Sequence, residues 1–362
     1  MLEDKGILIK NIFYMLSYSF QILKRGQYRE VANEEFSNIE DLFAEIIVKG
    51  VRVQVRQGLY SEYVPRRESL PTVRGKIDLD GTIQLKVAQR LQVSCDFDEF
   101  SEDNQLNQVL KATMLLLLGS AQVKSARRKE LRQLLPFFQN VREVPRAQLR
   151  TMLEQALTMT YQRNNQNYRV LVNVCYFVLM SWLNSDQSGQ FKMREFTDEQ
   201  MPKLFEKFVL EYYKQEYSPR LSAAASEIKW QIDDHAPASH LEQLPGMHTD
   251  ITLRDEPNQR MLIIDTKYYT QSLLRLYGKD LLKSPNFYQI YAYVKNAAEA
   301  NPDYEVGGYL LYAQTQGDVQ PSLRVSISGN QLGAVTLDLN QPFDRIKKQL
   351  NGIADAYFQI TD

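Results

Sequence analysis

Apolar residues recur every three or four positions over 7–23, where Ile12, Met15, Leu16, Phe20 and Leu23 share a face, so the spacing predicts an amphipathic helix. A second helix is expected over 38–49, stopped by Gly50. Between 51 and 100 the period shortens towards two. Val51-Arg52-Val53-Gln54-Val55 alternates, Gly58 and Pro65 punctuate, and 76–81 reads as a strand closing in a turn. This predicts a small β-rich module set between helices. From 103 to about 183 the helical period returns, with Leu106, Val109, Leu110, Met114 and Leu117 spaced at threes and fours. The polar run 164–167 marks the expected boundary between domains 1–165 and 166–362, although the helix after it could still belong to the first core.

The second half opens on LFEKFVLEYY at 204–213, where Phe205, Phe208, Val209 and Tyr212 form a buried stripe flanked by Glu206 and Glu211. At 247–269 the sequence MHTDITLRDEPNQRMLIIDTKYY sets two strand-like runs around a polar break, the pattern of a β-hairpin. Ser284-Pro285 is a favoured helix start, and 306–312 reads as a strand whose Gly307-Gly308 leaves room for close approach. Strand, helix and strand then form a right-handed β-α-β crossover with parallel strands. Strands near 323–328 and 334–339 and a helix over 342–356 complete the chain. The fold class expected is α+β with α/β character: a helical part containing a small β-rich module, then a central mixed sheet flanked by helices.

The hairpin carries the chemistry. With a loop of 256–259, Asp255 pairs with Arg260, and the same register sets Asp250 opposite Asp265, with Lys267 on that face. Opposed Cβ atoms lie only about 5 Å apart, and like charges there repel. A cation is therefore expected between them, and a hard divalent metal held by carboxylates beside a lysine suits phosphodiester hydrolysis. The plainer alternative is a pair of solvated charges, and a five-residue loop would place them on opposite faces. Met261-Leu262-Ile263-Ile264 reads as a buried strand delivering Asp265 at its end, where an unpartnered carboxylate is costly. Either Glu206 or Glu211 could lean over the hairpin as a further ligand. Gln289 and Tyr293, one helical turn apart, share a face. His248 falls on the face of Asp250, while a rim position is the plainer reading for it and for His235 and His240.

Composition narrows the class. The 362 residues are enough for two cores, and a net charge of −1 gives no global basic field for nucleic acid. Arg52, Arg56, Arg66, Arg67, Arg74 and Lys76 in the β-rich module fit a solvated rim or a docking surface for an acidic partner. Lys124, Arg127, Arg128, Lys129 and Arg132 fit a solvated helix face. Cys95 and Cys175 fit reduced core thiols in a cytoplasmic protein. The first residues lack a signal-peptide layout, and the apolar run 170–183 is too short to span a bilayer. No phosphate loop, Gly-x-Ser-x-Gly elbow, zinc spacing or dinucleotide fingerprint occurs.

Asp250, Asp265-Thr266-Lys267 and Gln289-x-x-x-Tyr293 together resemble the PD-(D/E)xK nuclease superfamily, in its RecB-like branch. NIFYML at 11–16, PTVRGKI at 71–77, CDFDE at 95–99, NQVLK at 107–111, LFEKFV at 204–209 and MHTDI at 247–251 sharpen this. They look like the McrC family of nuclease subunits in McrBC-type modification-dependent restriction systems, nearly end to end. The resemblance implies an amino-terminal domain that docks on a hexameric AAA+ ring, McrB-like, and stimulates its GTPase. GTP is bound by that partner, which reads modified cytosine in double-stranded DNA while the McrC-like chain cuts. It also implies Mg²⁺ held by Asp250 and Asp265, with the Thr266 carbonyl and Glu206 as further ligands and Glu211 as the rival of Glu206. Lys267 would position the attacking water, and Gln289 and Tyr293 would buttress the phosphate side. Two departures stand out: Thr249 replaces the usual Pro, and Asp265 replaces the usual Glu. Both keep the carboxylates. A second copy is expected in the cleaving complex, since each strand needs its own cut. The competing readings are a non-catalytic adaptor of the ring with a degenerate nuclease fold, and a stand-alone nuclease.

Overall fold

The structure, a computed structural model, describes residues 3–4, 7–20, 28, 31, 34–36, 38–162, 165–184, 196–232, 237–269, 272–276, 278–314 and 319–360. It divides into two compact units, one of Met1–Ile39 with Arg194–Asp362 and one of Glu40–Met193. This differs from the expected division at residue 165 at both ends: the first residues join the C-terminal part, and the helix after 165 stays with the middle of the chain.

The chain starts with the short pair β1 (Glu3–Asp4) and β2 (Ile7–Leu8) and continues into α1 (Ile9–Phe20). The apolar face of α1 is buried through Ile12, Phe13, Met15 and Leu16. Leu23, expected to extend it, lies outside the described residues. Asn11 is buried on the same helix, and its amide donates to the carbonyls of Leu339 and Gln341, each at 2.8 Å. A buried amide left unpaired would be costly, so these bonds fix where the first helix sits.

The unit of Glu40–Met193 begins with α2 (Ile39–Gln57). Gly50 does not stop it, and the alternating stretch after Gly50 is helical. Ile47, Val48, Val51 and Gln54 are all buried, so one helical face runs straight through a pattern that also fits a short strand. The chain leaves at Gly58, whose φ of +85° suits glycine. Next come β3 (Glu62–Leu70), β4 (Lys76–Ile77), α3 (Leu79–Val87) and β5 (Val93–Ser101), the strands forming an antiparallel sheet in the order β3-β5-β4. The expected strand over 76–81 therefore ends at Ile77, and Gly81 is helical. Helix α3 buries none of its side chains, and Leu79, Ile83 and Val87 make an apolar stripe 70%, 58% and 80% exposed.

Helices α4 (Gln105–Gly119), α5 (Ser125–Leu134), α6 (Arg146–Thr158) and α7 (Gln166–Asn184) complete this unit. The α7 stripe of Leu171, Val174, Cys175 and Val178 is buried, as its apolar run predicts. Helix α7 packs on α4 and α6, and the Tyr168 hydroxyl donates to Asn107 Oδ1 at 2.7 Å while accepting from the Tyr60 amide at 3.0 Å. That packing carries the unit past residue 165. Arg127 is not part of a solvated face: it is buried, with Nη1 2.8 Å from Asp41 and Nε 2.8 Å from Glu45. The basic rim is largely paired within the unit. Arg67 meets Asp96 at 2.6 and 3.0 Å, Arg66 lies 3.4 Å from Glu99, and Arg52 lies 3.3 Å from Glu130. Both cysteines are free and buried, and burial pushes the Cys175 thiol up to about 12. Among the described residues no helix is long and apolar enough to cross a membrane.

After α8 (Phe196–Glu216) the remaining elements are β6 (Ser222–Ala224), β7 (Glu227–Ile228), α9 (Ala238–Leu241), β8 (Met247–His248), β9 (Ile251–Asp255) and β10 (Arg260–Lys267). They continue with β11 (Leu273–Leu276), β12 (Lys279–Leu282), α10 (Ser284–Ala300), β13 (Glu305–Ala313), β14 (Leu323–Ile327), β15 (Asn330–Leu337) and α11 (Phe343–Phe358). A six-stranded sheet runs β14-β15-β13-β10-β9-β6. Its centre, β10, β13 and β15, is parallel, and its outer pairings are antiparallel. The expected mixed sheet with flanking helices is therefore present. Helix α1 lies against α8 and α11, with Tyr14 stacked on Phe343 at 4.3 Å and Tyr18 5.8 Å from Phe208.

Two adjacent glycines on β13 admit helices to both faces of the sheet. A Cβ on Gly308 would lie 2.4 Å from Val294 and 2.9 Å from Ile290 of α10, while one on Gly307 would lie 2.6 Å from the Tyr357 ring of α11. Neighbouring strand residues point to opposite faces, so α10 and α11 cover opposite sides. The Tyr357 hydroxyl reaches the carbonyls of Met261 and Glu305, each at 2.9 Å. Gly308→Val is expected to lower stability by about 1 to 3 kcal/mol through overpacking. Gly352→Ala, in α11 with open space around it, should instead raise stability by up to about 1 kcal/mol. Urea unfolding of the two variants checks the opposite signs.

Candidate active site

The β9-β10 hairpin sets the geometry. Its loop is the four residues 256–259, with Gln259 in the left-handed region at φ +49°. Asp255 steadies the turn by accepting from the Asn258 amide at 3.3 Å and from its side chain at 2.9 Å. Pairing runs from Asp255↔Arg260 to Ile251↔Ile264, as the loop length predicts. Asp250 lies one residue past the last pair, so the continued register sets it opposite Asp265. The ladder ends there because Asp250 uses its side chain: Oδ2 accepts from the Thr266 amide and from the Thr266 hydroxyl, both at 2.6 Å. That hydroxyl bond was not legible in the sequence, where Thr266 stands out only through its carbonyl.

Lys267 emerges on the same face, with its Nζ 2.5 Å from Asp265 Oδ2, an ion pair too poorly aligned for a directed hydrogen bond. Its second partner comes from α10. Gln289 Oε1 accepts from Lys267 Nζ at 3.1 Å, and Gln289 Nε2 donates to the Tyr293 hydroxyl at 2.9 Å. The shared helix face thus converges on the lysine. Helix α10 begins at Ser284, with Lys283 rather than Ser284 at the N-cap position and no side-chain cap.

The two helical acids separate clearly. Glu211 pairs with Lys214 at 2.9 Å on its own helix. Glu206 lies within the field of the hairpin: its carboxyl is raised above the usual range, first by burial and then by the negative charges of Asp250 and Asp265. His248 does not join the site. Strand pairing breaks at 249–250, and β8 pairs instead with β7, setting His248 against Glu227 on an exposed edge. Thr249 makes that break. It is buried, with Oγ1 accepting from the Ser226 amide at 3.0 Å and lying 2.9 Å from Thr252 Oγ1. His240 is exposed on α9, and His235 lies outside the described residues.

Asp265 is only 1% exposed. Burial, opposed by Lys267 and reinforced by Asp250, pushes its carboxyl up to about 6. Burial works against the Lys267 ammonium, but Asp265 more than offsets it and the amine is raised. Among the described residues no three His, Cys, Asp or Glu side chains already close into a metal cage. The donor set nevertheless fits a hard divalent cation. It is all oxygen, the charge of Asp250 raises both Asp265 and Glu206, and Asp265 Oδ2 is a buried acceptor without a directed donor.

The family model for the McrBC 5-methylcytosine restriction system component matches residues 4–313. The type IV methyl-directed restriction enzyme EcoKMcrBC of Escherichia coli (strain K12) is 27% identical over 361 residues, covering 99% of this chain and 100% of the relative. Among solved structures, a half-complex from the tetradecameric assembly of Thermococcus gammatolerans McrB AAA+ hexamers with bound McrC is 18% identical. It matches with a TM-score of 0.49 over 96% of this chain and 76% of that chain. The McrBC complex of the same organism is 22% identical, with a TM-score of 0.39 over 58% of this chain and 59% of that chain.

The raised Asp265 carboxyl has a measurable consequence. A carboxyl at about 6 when folded, against an ordinary 3.8, binds its proton more tightly in the folded chain. Stability from this group is therefore full below the ordinary value and lost as pH rises through about 6. In metal-free buffer the stability of the wild type relative to Asp265→Asn should fall by up to about 3 kcal/mol between roughly pH 4 and 7. Denaturant titrations across that range would show a flat difference if Asp265 were unperturbed.

Proposed function

The chain belongs to the McrBC 5-methylcytosine restriction system component family, and from that premise we propose that it is the DNA-cutting subunit of such a system. In this reading it is a Mg²⁺-dependent endodeoxyribonuclease with a PD-(D/E)xK site, acting on DNA that carries modified cytosine. The observation that carries the reading is the linkage of Asp250, Asp265, Lys267, Gln289 and Tyr293, from a strand pair and a helix, into one polar cluster. A buried cluster of this kind has no evident stabilising purpose, since it leaves a carboxylate desolvated.

Asp250 and Asp265 would hold Mg²⁺, with Glu206 and the Thr266 carbonyl as further oxygen ligands, and the ion would supply Lewis-acid polarisation of the scissile phosphate. The protein's own groups do the aiming. Both donors of Thr266 engage Asp250 Oδ2, and among the described residues no donor reaches Oδ1, which stays available to a ligand. Lys267 is held between Asp265 and Gln289, so its ammonium can orient the attacking water and offset charge that develops on the phosphate oxygens. Tyr293 fixes the orientation of the Gln289 amide. With Nε2 donating to the phenol, Oε1 is the atom left to face the lysine.

The same reading gives the chain an AAA+ partner, a McrB-like hexameric ring that binds and hydrolyses GTP and selects the DNA. Docking is assigned to the unit of Glu40–Met193, where the uncovered stripe Leu79, Ile83 and Val87 supports it. The net charge of −1 and the lack of a phosphate loop in this chain agree with a division of labour in which the partner grips DNA. Two copies act in the cleaving complex, one for each strand, in the cytoplasm.

Asp250→Ala and Asp265→Ala should each abolish cutting of methylated DNA by the full chain with its AAA+ partner, GTP and Mg²⁺. Partner binding and stimulation of the GTPase should survive in both. Cleavage at the wild-type rate by either variant would remove the site assignment. Survival of GTPase stimulation without any wild-type cleavage would favour an adaptor. Because Asp265 must lose a proton to ligate a cation, Mn²⁺ affinity of the chain alone, followed by calorimetry, should strengthen as pH rises through about 6.

A further inference from the structure

Asn286 lies in the first turn of α10, one turn before Gln289, and is buried. Both ends of its amide are used. Oδ1 accepts from the Tyr269 hydroxyl at 3.1 Å, and Nδ2 donates to the Tyr312 hydroxyl at 3.2 Å. Each tyrosine is tied to the place where Lys267 emerges. Tyr269 follows two residues after Lys267, and Tyr312 is the parallel register partner of Lys267 on β13. Lys283, just before α10, closes the same corner with its Nζ 3.8 Å from the centre of the Tyr269 ring.

Met261, Ile263, Ile290, Val294 and Leu310 form an apolar core between the sheet and α10. Apolar contacts seat α10 on the sheet but are non-directional, so they do not by themselves set where its polar groups point. Hydrogen bonds in a low-dielectric core are directional and costly to break, so this bracket fixes one setting of α10 against the ends of β10 and β13. Residues three apart share a helix face, so the turn that fixes Asn286 also sets Gln289.

We propose that Asn286 is a positioning residue for the nuclease reaction: by bracketing Tyr269 and Tyr312 it sets α10 so that Gln289 Oε1 stays 3.1 Å from Lys267 Nζ. The inference rests on the nuclease reading, in which Lys267 acts on the water and phosphate. It separates the aim of the lysine from the holding of the cation, because Asn286 touches neither Asp250 nor Asp265 through these bonds.

The test uses the full chain with its AAA+ GTPase, GTP, Mg²⁺ and a methylated duplex. Asn286→Ala should lower kcat roughly 10- to 100-fold, the range for residues that orient a working group from behind. KM, and Mn²⁺ affinity of the chain alone, should stay within about twofold, as for an interaction made only in the transition state. Adding Gln289→Ala should cost little more than either change alone, since both act through Lys267. Tyr269→Phe removes one bond of the bracket and keeps the ring, so it should show a smaller loss confined to kcat even if Asn286→Ala proves too unstable to purify. The proposal is overturned if kcat of a folded Asn286→Ala stays within about twofold of wild type, or if its loss multiplies fully with that of Gln289→Ala. It is also overturned if Tyr269→Phe leaves kcat unchanged. A wild-type chain that neither binds Mn²⁺ nor cuts would instead overturn the nuclease reading itself.

Discussion

Two carboxylates facing each other across a strand pair form an unfavourable arrangement, and much of the C-terminal sheet can be understood as its accommodation. The turn at 256–259 fixes the register that opposes Asp250 and Asp265, and Asp255 holds that turn from inside. Each carboxylate then has a separate outlet. Asp250 takes the amide and hydroxyl of Thr266, and Asp265 takes the ammonium of Lys267. The arrangement remains incompletely neutralised, since burial still pushes Asp265 up to about 6 and Glu206 is raised as well. An incoming cation would relieve such residual tension, and the proposed reading of the site rests on that electrostatics.

That tension is tolerable only on a rigid support. The centre of the sheet is parallel, and Gly307 and Gly308 let helices approach β13 from both faces at distances no side chain would allow. Helix α10 then brings Gln289 and Tyr293 to the lysine from one face, while Tyr357 of α11 ties β10 to β13 through two carbonyls on the other. The first helix belongs to the same construction, because the Asn11 amide is bonded to carbonyls more than three hundred residues later in the chain.

The hairpin was legible because a four-residue polar break between alternating runs leaves few registers that bury Leu262 and Ile264 together with Leu253 and Ile251. Glu206 could not be separated from Glu211 by helical angle alone. The difference lies in their neighbours, Lys214 for one and the hairpin for the other. The alternating stretch 51–55 fits a strand period, yet five such residues also place Val51 and Gln54 on one helical face, and burial chooses the helix. Arg127 looked like a solvated charge because its partners, Asp41 and Glu45, are some eighty residues away in sequence. The division into two compact units is hidden in a similar way. Local polarity at 164–167 is visible in a sequence, whereas the packing of α7 on α4 and of α1 on α8 is not.

Arg127 and Lys267 show how the same physics yields different consequences. Both are cations largely removed from water, Arg127 between two acids and Lys267 beside one. Arg127 meets Asp41 and Glu45 through separate guanidinium nitrogens at 2.8 Å each, so its planar fork satisfies two acids along defined directions. That geometry locks a helix pair and leaves little reason to change. Lys267 is a point charge on a flexible stem, with one acid at 2.5 Å without directed alignment and a neutral amide at 3.1 Å. Nothing in that arrangement commits the ammonium to Asp265 alone. A cation binding the carboxylates would relieve Asp265 of its need for the lysine, and Gln289 already offers the lysine a second anchor. Lysine at this position therefore suits a group that must change partners, whereas an arginine fork would tend to keep the acid it had found.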